Sequence, residues 1–339
     1  MLGNILMTAV NAVLPIILLI LLGYFLKKKK FLSDSFVLTG NKLVFNILLP
    51  CMLFINVYDI ESFSAIQWDM VAYAVMMVLI IFGLGFVTAI LSTDNEKRKG
   101  VIWQCTFRSN FAIIGLSLAE ALGGNEAMGM AAVISAFTIP IFNILGVIVL
   151  SFFVDKSGAG KVDVRKIFMN VLKNPLIIGV VLGLVCLGLR TIQMKLFGEE
   201  VFLLRKHVRF FYTAINNLKM IASPFALIVL GGQFEFSAAR GMKKEIIVGT
   251  LWRIVLAPIL GIGTAVLLSE YTSLLSCGVN EYPALIALFG SPVAVSSAVM
   301  ARAMGNDEQL ATQLVVWTSV CSIVTIFLQV CLLMGVGLL

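Results

Sequence analysis

The chain has 339 residues, of which 60 % are hydrophobic and 13 % charged, and a formal net charge of +7. Its mean hydropathy is +1.03. A soluble domain carries about 25 % charged residues, so this composition excludes one and indicates an all-α polytopic membrane protein. In chain order, apolar stretches able to form a spanning helix of about 20 residues lie near 5–26, 37–57, 70–92, 101–122, 128–153, 174–190, 211–232, 245–268, 283–303 and 310–338. The first is too long for a cleavable leader and ends in Lys27-Lys28-Lys29-Lys30, so it reads as a true span. Polar residues dilute the fourth, seventh and ninth.

Two of these spans are interrupted. The ninth, PALIALFGSPVAVSSAVMARA (283–303), is broken near its middle by Gly290-Ser291-Pro292, and the fourth holds the polar knot Arg108-Ser109-Asn110 followed by Gly115 and Ser117. Proline removes a backbone donor and clashes with the preceding turn. In lipid the freed backbone groups must be satisfied by protein, cavity water or ligand. A matched pair of interrupted helices, one per half, is the sequence pointer to a transporter's substrate site.

The positive charge reads as topology rather than nucleic-acid affinity. Lys and Arg gather at 27–30, 97–99, 156–173 and 240–244, while the intervening loops hold Asp59, Glu61, Asp69, Glu120, Glu126, Glu270 and Glu281. Lys/Arg-rich loops stay cytoplasmic, which places both termini outside the cytoplasm. The segment 190–210 disagrees, with Arg190, Lys195, Arg205, Lys206 and Arg209 on the outer side; a surface helix there reconciles it better than a misassigned span. The six cysteines form no CxxC and read as buried free thiols. The single histidine, His207, lies in that odd segment. A histidine-based catalytic or zinc centre is nearly excluded, and neither a catalytic residue, a metal nor a cofactor is expected.

The two halves share an order of landmarks. Pro15–Gly23 (PIILLILLG) matches Pro175–Gly183 (PLIIGVVLG), Pro50 matches Pro224, and Gly83-Leu-Gly85 matches Gly261-Ile-Gly263, with an interrupted helix following each series. Five spans per half is odd, so the halves enter the bilayer oppositely: an inverted-topology repeat. The repeats are 1–153 and 174–339, joined by a basic, Gly-containing cytoplasmic linker at 154–173.

Candidate substrate-binding residues follow from the breaks: Ser109, Asn110 and Gly115 on the fourth helix, and Ser291, Pro292 and Ser296 on the ninth. Half-helix N-termini aimed into a shared cavity, with amide and hydroxyl donors, suit a carboxylate. The competing reading is that these small and hydroxyl residues only permit tight helix packing. Neither interruption contains Asp or Glu, which argues against a cation/proton antiporter and weakens sodium coupling. Arg253 lies about nine residues past Lys244, well inside the bilayer at about 1.5 Å per residue. It either neutralises an anionic substrate or pins the eighth helix to neighbouring carbonyls. Lys42, with Asn46 on the same helical face, is a further candidate, although it is close enough to the edge to snorkel. Lys219, on the approach to Pro224, is similarly ambiguous. Gly115-Leu-Ser117 is no serine-protease centre, because no histidine lies in a later span.

KLVFNILLPCMLF (42–54), NPLIIGVVLGL (174–184), ASPFALIVLGG (222–232), WRIVLAP (252–258) and FGSPVAVSSAVMA (289–301) resemble, in order and spacing, the bacterial branch of the auxin efflux carrier family. The resemblance implies ten helices in two inverted five-helix repeats, similar to the bile-acid sodium symporter fold, with broken helices 4 and 9 crossing. Helices 1, 2, 6 and 7 would form a scaffold, with helices 3–5 and 8–10 as a moving transport domain. Asn110 matches the family's crossover asparagine and Pro292 its crossover proline, whereas Gly115-Leu-Ser117 stands where Gly-Leu-Pro is common. The implied activity is elevator-type transport of small organic anions, auxin-like acids or dicarboxylates such as malate or malonate, across the plasma membrane. A homodimer through the scaffold helices is left open. Two rival readings are a sodium-coupled symporter of the bile-acid type and a non-transporting membrane receptor on the same scaffold.

Overall fold

The structure, a computed structural model, describes residues 2–59, 67–159, 169, 172–199, 201–234, 236–272, 274–278 and 281–339. The expected linker at 154–173 therefore falls largely outside the described residues. The protein is 86 % helical, with no strand among the described residues. In chain order the helices are α1 (Leu2–Lys28), α2 (Asp34–Tyr58), α3 (Trp68–Ser92) and α4 (Glu96–Phe107). The helix Leu116–Ala159, entered through a π-helical turn at Phe111–Gly115, bends at Gly123-Gly124. Gly124 has φ +68°, a conformation L side chains rarely adopt. The bend divides it into α5 (111–122) and α6 (125–159). Then come α7 (Pro175–Phe197), α8 (Arg209–Gln233), α9 (Lys243–Tyr271), α10 (281–290), α11 (Val295–Ala303) and α12 (Glu308–Gly335).

Local signals start and stop these helices. Ser33, Asn95, Asn174 and Asp307 cap α2, α4, α7 and α12, each side chain accepting a hydrogen bond from a first-turn N–H. Pro175 follows Asn174 directly, where a missing N–H costs nothing. Gly198, with φ +75°, ends α7. Among the described residues, seven helices are long and apolar enough to cross a membrane: α2, α3, α6, α7, α8, α9 and α12. The two interrupted segments, 96–122 and 281–303, are not among them, because each is divided by extended backbone.

Close glycine contacts set the first helix group. A Cβ on Gly23 of α1 would collide with the carbonyl of Ile228 on α8, and one on Gly231 of α8 with the carbonyl of Ile20 on α1. Gly179 and Gly183 of α7 lie in the same way on Pro50, Phe54 and Val57 of α2. A second group centres on Phe82, Phe86, Trp103 and Phe153, which join α3, α4 and α6 through stacked and edge-on rings. Across it, Tyr73 of α3 donates to the carbonyl of Gly261 on α9 at 2.5 Å.

Contacts sort the loops to two ends. At one end Arg98 bridges Glu245 at 2.8 Å and Asp307 at 2.9 Å and donates to the carbonyl of Gly241. Leu32 and Val37 pack on Val229 there, and Gln309 donates to the carbonyl of Gln233. Three of the four basic segments, 27–35, 93–100 and 233–244, thus share one end. At the other end Arg190 donates to the carbonyl of Tyr58, Tyr212 donates to Asp59, and Lys219 approaches Asp59 at 3.7 Å. The described residues of the segment 190–210, all but residue 200, lie there. α7 runs on to Phe197, so Arg190 and Lys195 are helical, and only a short helix, Leu204–His207, precedes α8. His207 is structural: its Nδ1 accepts the N–H of Leu203 at 3.1 Å.

Because Gly231 meets main chain, α1 and α8 must separate to admit a side chain. Gly231→Val is expected to destabilise the protein by about 1–3 kcal/mol, seen as a lower melting midpoint in detergent, while Gly83→Val, with nothing within 4 Å of its Cβ position, should melt as wild type.

Candidate functional site

The two interruptions meet and satisfy one another. α4 stops at Phe107, Arg108 is extended (φ −88°, ψ 93°), and helix resumes at Phe111. α10 stops at Gly290, Ser291 and Ala294 are extended, and α11 starts at Val295. Ser109 and Val293 form an antiparallel bridge. The Asn110 N–H donates to the Pro292 carbonyl at 2.7 Å, and the Ala294 N–H donates to the Arg108 carbonyl at 3.2 Å. The Val293 N–H donates to Thr318 Oγ1 of α12 at 3.1 Å. Backbone groups freed by each break thus find partners in the other, as an apolar interior requires.

A cavity of about 50 Å³ lies against this pairing. One wall is Arg108, Ser109, Asn110, Ala294, Val295 and Ser296 from the breaks, with Ile139, Phe142 and Asn143 of α6. The facing wall is Leu49, Met52 and Leu53 of α2, Leu176 of α7, and Ser223 and Ala226 of α8. Almost all the polarity lies on the first wall. At about 10–15 Å³ per probe-sized water, the chamber admits a few waters or one small polar group.

Among the described residues, Arg108 is the only charged one in the lining. It is 3 % exposed, and its guanidinium donates to Asn143 Oδ1 at 2.8 Å, Ser296 Oγ at 2.9 Å and the Phe142 carbonyl at 3.3 Å, and touches the Met300 thioether. All these partners are neutral, and among the described residues no carboxylate pairs with it. Ser109 Oγ and Asn110 Nδ2 are buried beside it without a partner among the described residues. A fixed cation, an amide donor and a hydroxyl on one wall are groups able to donate to oxygen acceptors.

The residues expected from sequence divide. Asn110, Ser109 and Ser296 line the cavity. Pro292 acts through its carbonyl. Ser291 does not reach the cavity: its hydroxyl is spent on the Ala287 carbonyl of the preceding turn at 2.6 Å. Gly115 is a packing position, where a Cβ would stand 2.8 Å from the Ala287 carbonyl. Arg253 also lies outside the lining, because its guanidinium is engaged by main-chain carbonyls of Thr106, Leu288, Phe289 and Ser291. Of the two roles left open for it, pinning is the one its contacts fit. Lys42 is exposed and absent from the lining, so the site excludes it. Sequence reading passed over Arg108 as a binding residue, although it stands in the same polar knot. It also missed Asn143, whose signal was an amide in an otherwise apolar span.

A helical, multi-pass membrane protein whose two broken helices meet at a polar cavity is of the transporter class. The membrane transport protein family model matches residues 8–330. The chain belongs to this family, the auxin efflux carrier family, and is a membrane transporter. A comparison with curated proteins finds no match.

The partners of Asn110 and Arg253 give opposite expectations for stability. Asn110→Ala breaks no hydrogen bond of its Nδ2 and should leave the melting midpoint within a degree or so of wild type. Arg253→Lys forfeits the planar fork and should lower it clearly, by about 1.5–3 kcal/mol for each charged hydrogen bond lost. Equal midpoints in the two variants would contradict this assignment.

Proposed function

We propose that the protein carries small organic anions, mono- or dicarboxylates of the size of malonate or malate or auxin-like acids, across the plasma membrane by elevator-type alternating access. The observation that carries this reading is Arg108: a buried guanidinium with only neutral partners, beside the unspent donors of Ser109 and Asn110. The carboxylate would take the charge of Arg108 and the hydrogen bonds of its neighbours.

In this reading ten spans form two inverted five-helix repeats. The first half is α1, α2, α3, the interrupted α4–α5, and α6; the second is α7, α8, α9, the interrupted α10–α11, and α12. The interrupted spans are the crossing helices. Glycine contacts support the repeat: Gly23 of the matched Pro15–Gly23 run packs on α8, and Gly183 of the matched Pro175–Gly183 run packs on α2. The cavity supports the division into bodies. Its nearly apolar wall comes wholly from α2, α7 and α8, the scaffold with α1, and its polar wall wholly from the rest. At the cavity a smooth apolar face lies opposite a polar binding wall, so little hydrogen bonding there opposes sliding of the second on the first; the bond from Gln309 to the Gln233 carbonyl at one end would have to open. Sodium coupling of the bile-acid type is the weaker reading, since no carboxylate among the described residues lines the cavity; a receptor reading has no particular contact in its favour.

The deciding measurement is flux in proteoliposomes with a panel of labelled organic acids. Uptake of small carboxylates is expected. Asn110→Ala should weaken binding by about 1–3 kcal/mol, about 5- to 150-fold, and Arg108→Gln should abolish uptake of anions. Because no Asp, Glu or His among the described residues lines the cavity, flux should rise with pH while the substrate ionises and then level off. Proton-coupled flux of a substrate that does not titrate over that range, or unchanged affinity in Asn110→Ala, would sink this reading.

For orientation, the end holding 27–35, 93–100 and 233–244 is assigned to the cytoplasm, with both termini outside. Single cysteines introduced at Lys29, Lys97 and Lys243 should stay unlabelled by an impermeant thiol reagent on intact cells, and one at Arg205 should be labelled. The reverse pattern would invert the assignment.

A further inference from the structure

Arg253 sits in a π-helical turn of α9, Trp252–Leu256, and is 1 % exposed. Its Nε donates to the Ser291 carbonyl at 3.1 Å and its Nη1 to the Thr106 carbonyl at 3.1 Å. Its Nη2 donates to the carbonyls of Leu288 at 3.2 Å and Phe289 at 2.5 Å. Among the described residues no carboxylate is paired with it. All four acceptors lie at or just beyond the C-terminal ends of α4 and α10, where the last carbonyls lack intrahelical partners and the helix dipole is negative.

Main-chain oxygens from two unwound helix ends, gathered around one buried cation, are the ligand type that holds an alkali ion in carriers with broken helices. Here a side chain takes that place, its three nitrogens sharing the four oxygens. We propose that the carbonyls of Thr106, Leu288, Phe289 and Ser291 form a monovalent-cation site whose resident ion is the tethered guanidinium of Arg253. Its planar fork reaches both helix ends at once, and it keeps its charge at every accessible pH. An exchangeable ion must leave and return in each cycle, whereas this one stays, so the paired breaks remain neutralised throughout. That consequence rests on the carrier reading; the site itself does not.

The test is thermal unfolding of the purified full-length protein in detergent, at constant ionic strength, in choline, sodium, potassium or low guanidinium chloride. Wild type should melt at one midpoint in choline and sodium. Arg253→Ala should melt lower in choline and recover by several degrees in sodium, potassium or guanidinium. Arg253→Lys, which supplies its own ammonium, should be insensitive to the cation. If the alanine variant is not recovered folded, Arg253→Gln, which keeps an amide donor but no charge, carries the same expectation. A folded Arg253→Ala or Arg253→Gln with the same midpoint in all four salts overturns the proposal, as does wild type stabilised by sodium over choline. Absence of organic-anion flux would defeat the carrier reading and leave these melting results standing; sodium-sensitive melting of wild type would defeat the site and leave the carrier reading standing.

Discussion

In a hydrocarbon interior an unpaired peptide group costs several kcal/mol, and this chain interrupts two helices there. The structure meets that cost by setting the interruptions against each other. The N–H of Asn110 goes to Pro292, the N–H of Ala294 goes to Arg108, and Ser109 pairs with Val293. Neither break is tenable alone, since each supplies the partners that water would supply in a soluble protein. Pro292, which has no N–H to donate, contributes the acceptor that Asn110 needs. The cavity lies against this pairing, and Arg108, Ser109, Asn110, Ala294, Val295 and Ser296 of its lining stand at or beside it.

The pairing also sorts the two buried arginines. The C-terminal ends of α4 and α10 present surplus carbonyls, and Arg253 covers them with four hydrogen bonds. α5 and α11 begin at the cavity, where Arg108 is held by an amide, a hydroxyl, one carbonyl and a thioether. Residue type is the same and burial is nearly the same; the partners differ. Arg253 faces oxygens already carrying the negative end of two helix dipoles, so its charge is compensated within the chain. Arg108 lines the cavity and meets an amide, a hydroxyl, a thioether and one carbonyl, none of them a terminal carbonyl of a broken helix.

Around this centre the packing is graded. Gly23, Gly179, Gly183 and Gly231 bring backbones of α1 and α8, and of α2 and α7, into direct contact, a mode that replaces the hydrophobic drive absent between helices in lipid. Aromatic rings knit α3, α4 and α6. Between the two sets lies a surface with few hydrogen bonds at the cavity, leucine, methionine and alanine against polar groups that bond among themselves. The part-exposed ion pairs of Arg98 with Glu245 and Asp307 tie loops at one end; each is worth about 0–1 kcal/mol and serves placement more than stability.

Much of this was legible in the sequence, because span length, breaks and loop charge are local properties. Apolar runs bounded by charges marked the helices. Gly290-Ser291-Pro292 and Arg108-Ser109-Asn110 marked both breaks, since proline and clustered polar residues disrupt a helix wherever they stand. Ser109, Asn110 and Ser296 were found as candidates for the same reason. What a side chain faces is not local. Sequence could not separate Arg253 from Arg108, because only folding brings the carbonyls of Thr106 and Leu288–Ser291 to one guanidinium and Asn143 to the other. Nor could it withdraw Ser291 into its own turn or turn Gly115 onto Ala287. Hydropathy and helix breaks are written residue by residue; the direction of a buried charge is set by the groups that tertiary packing places around it.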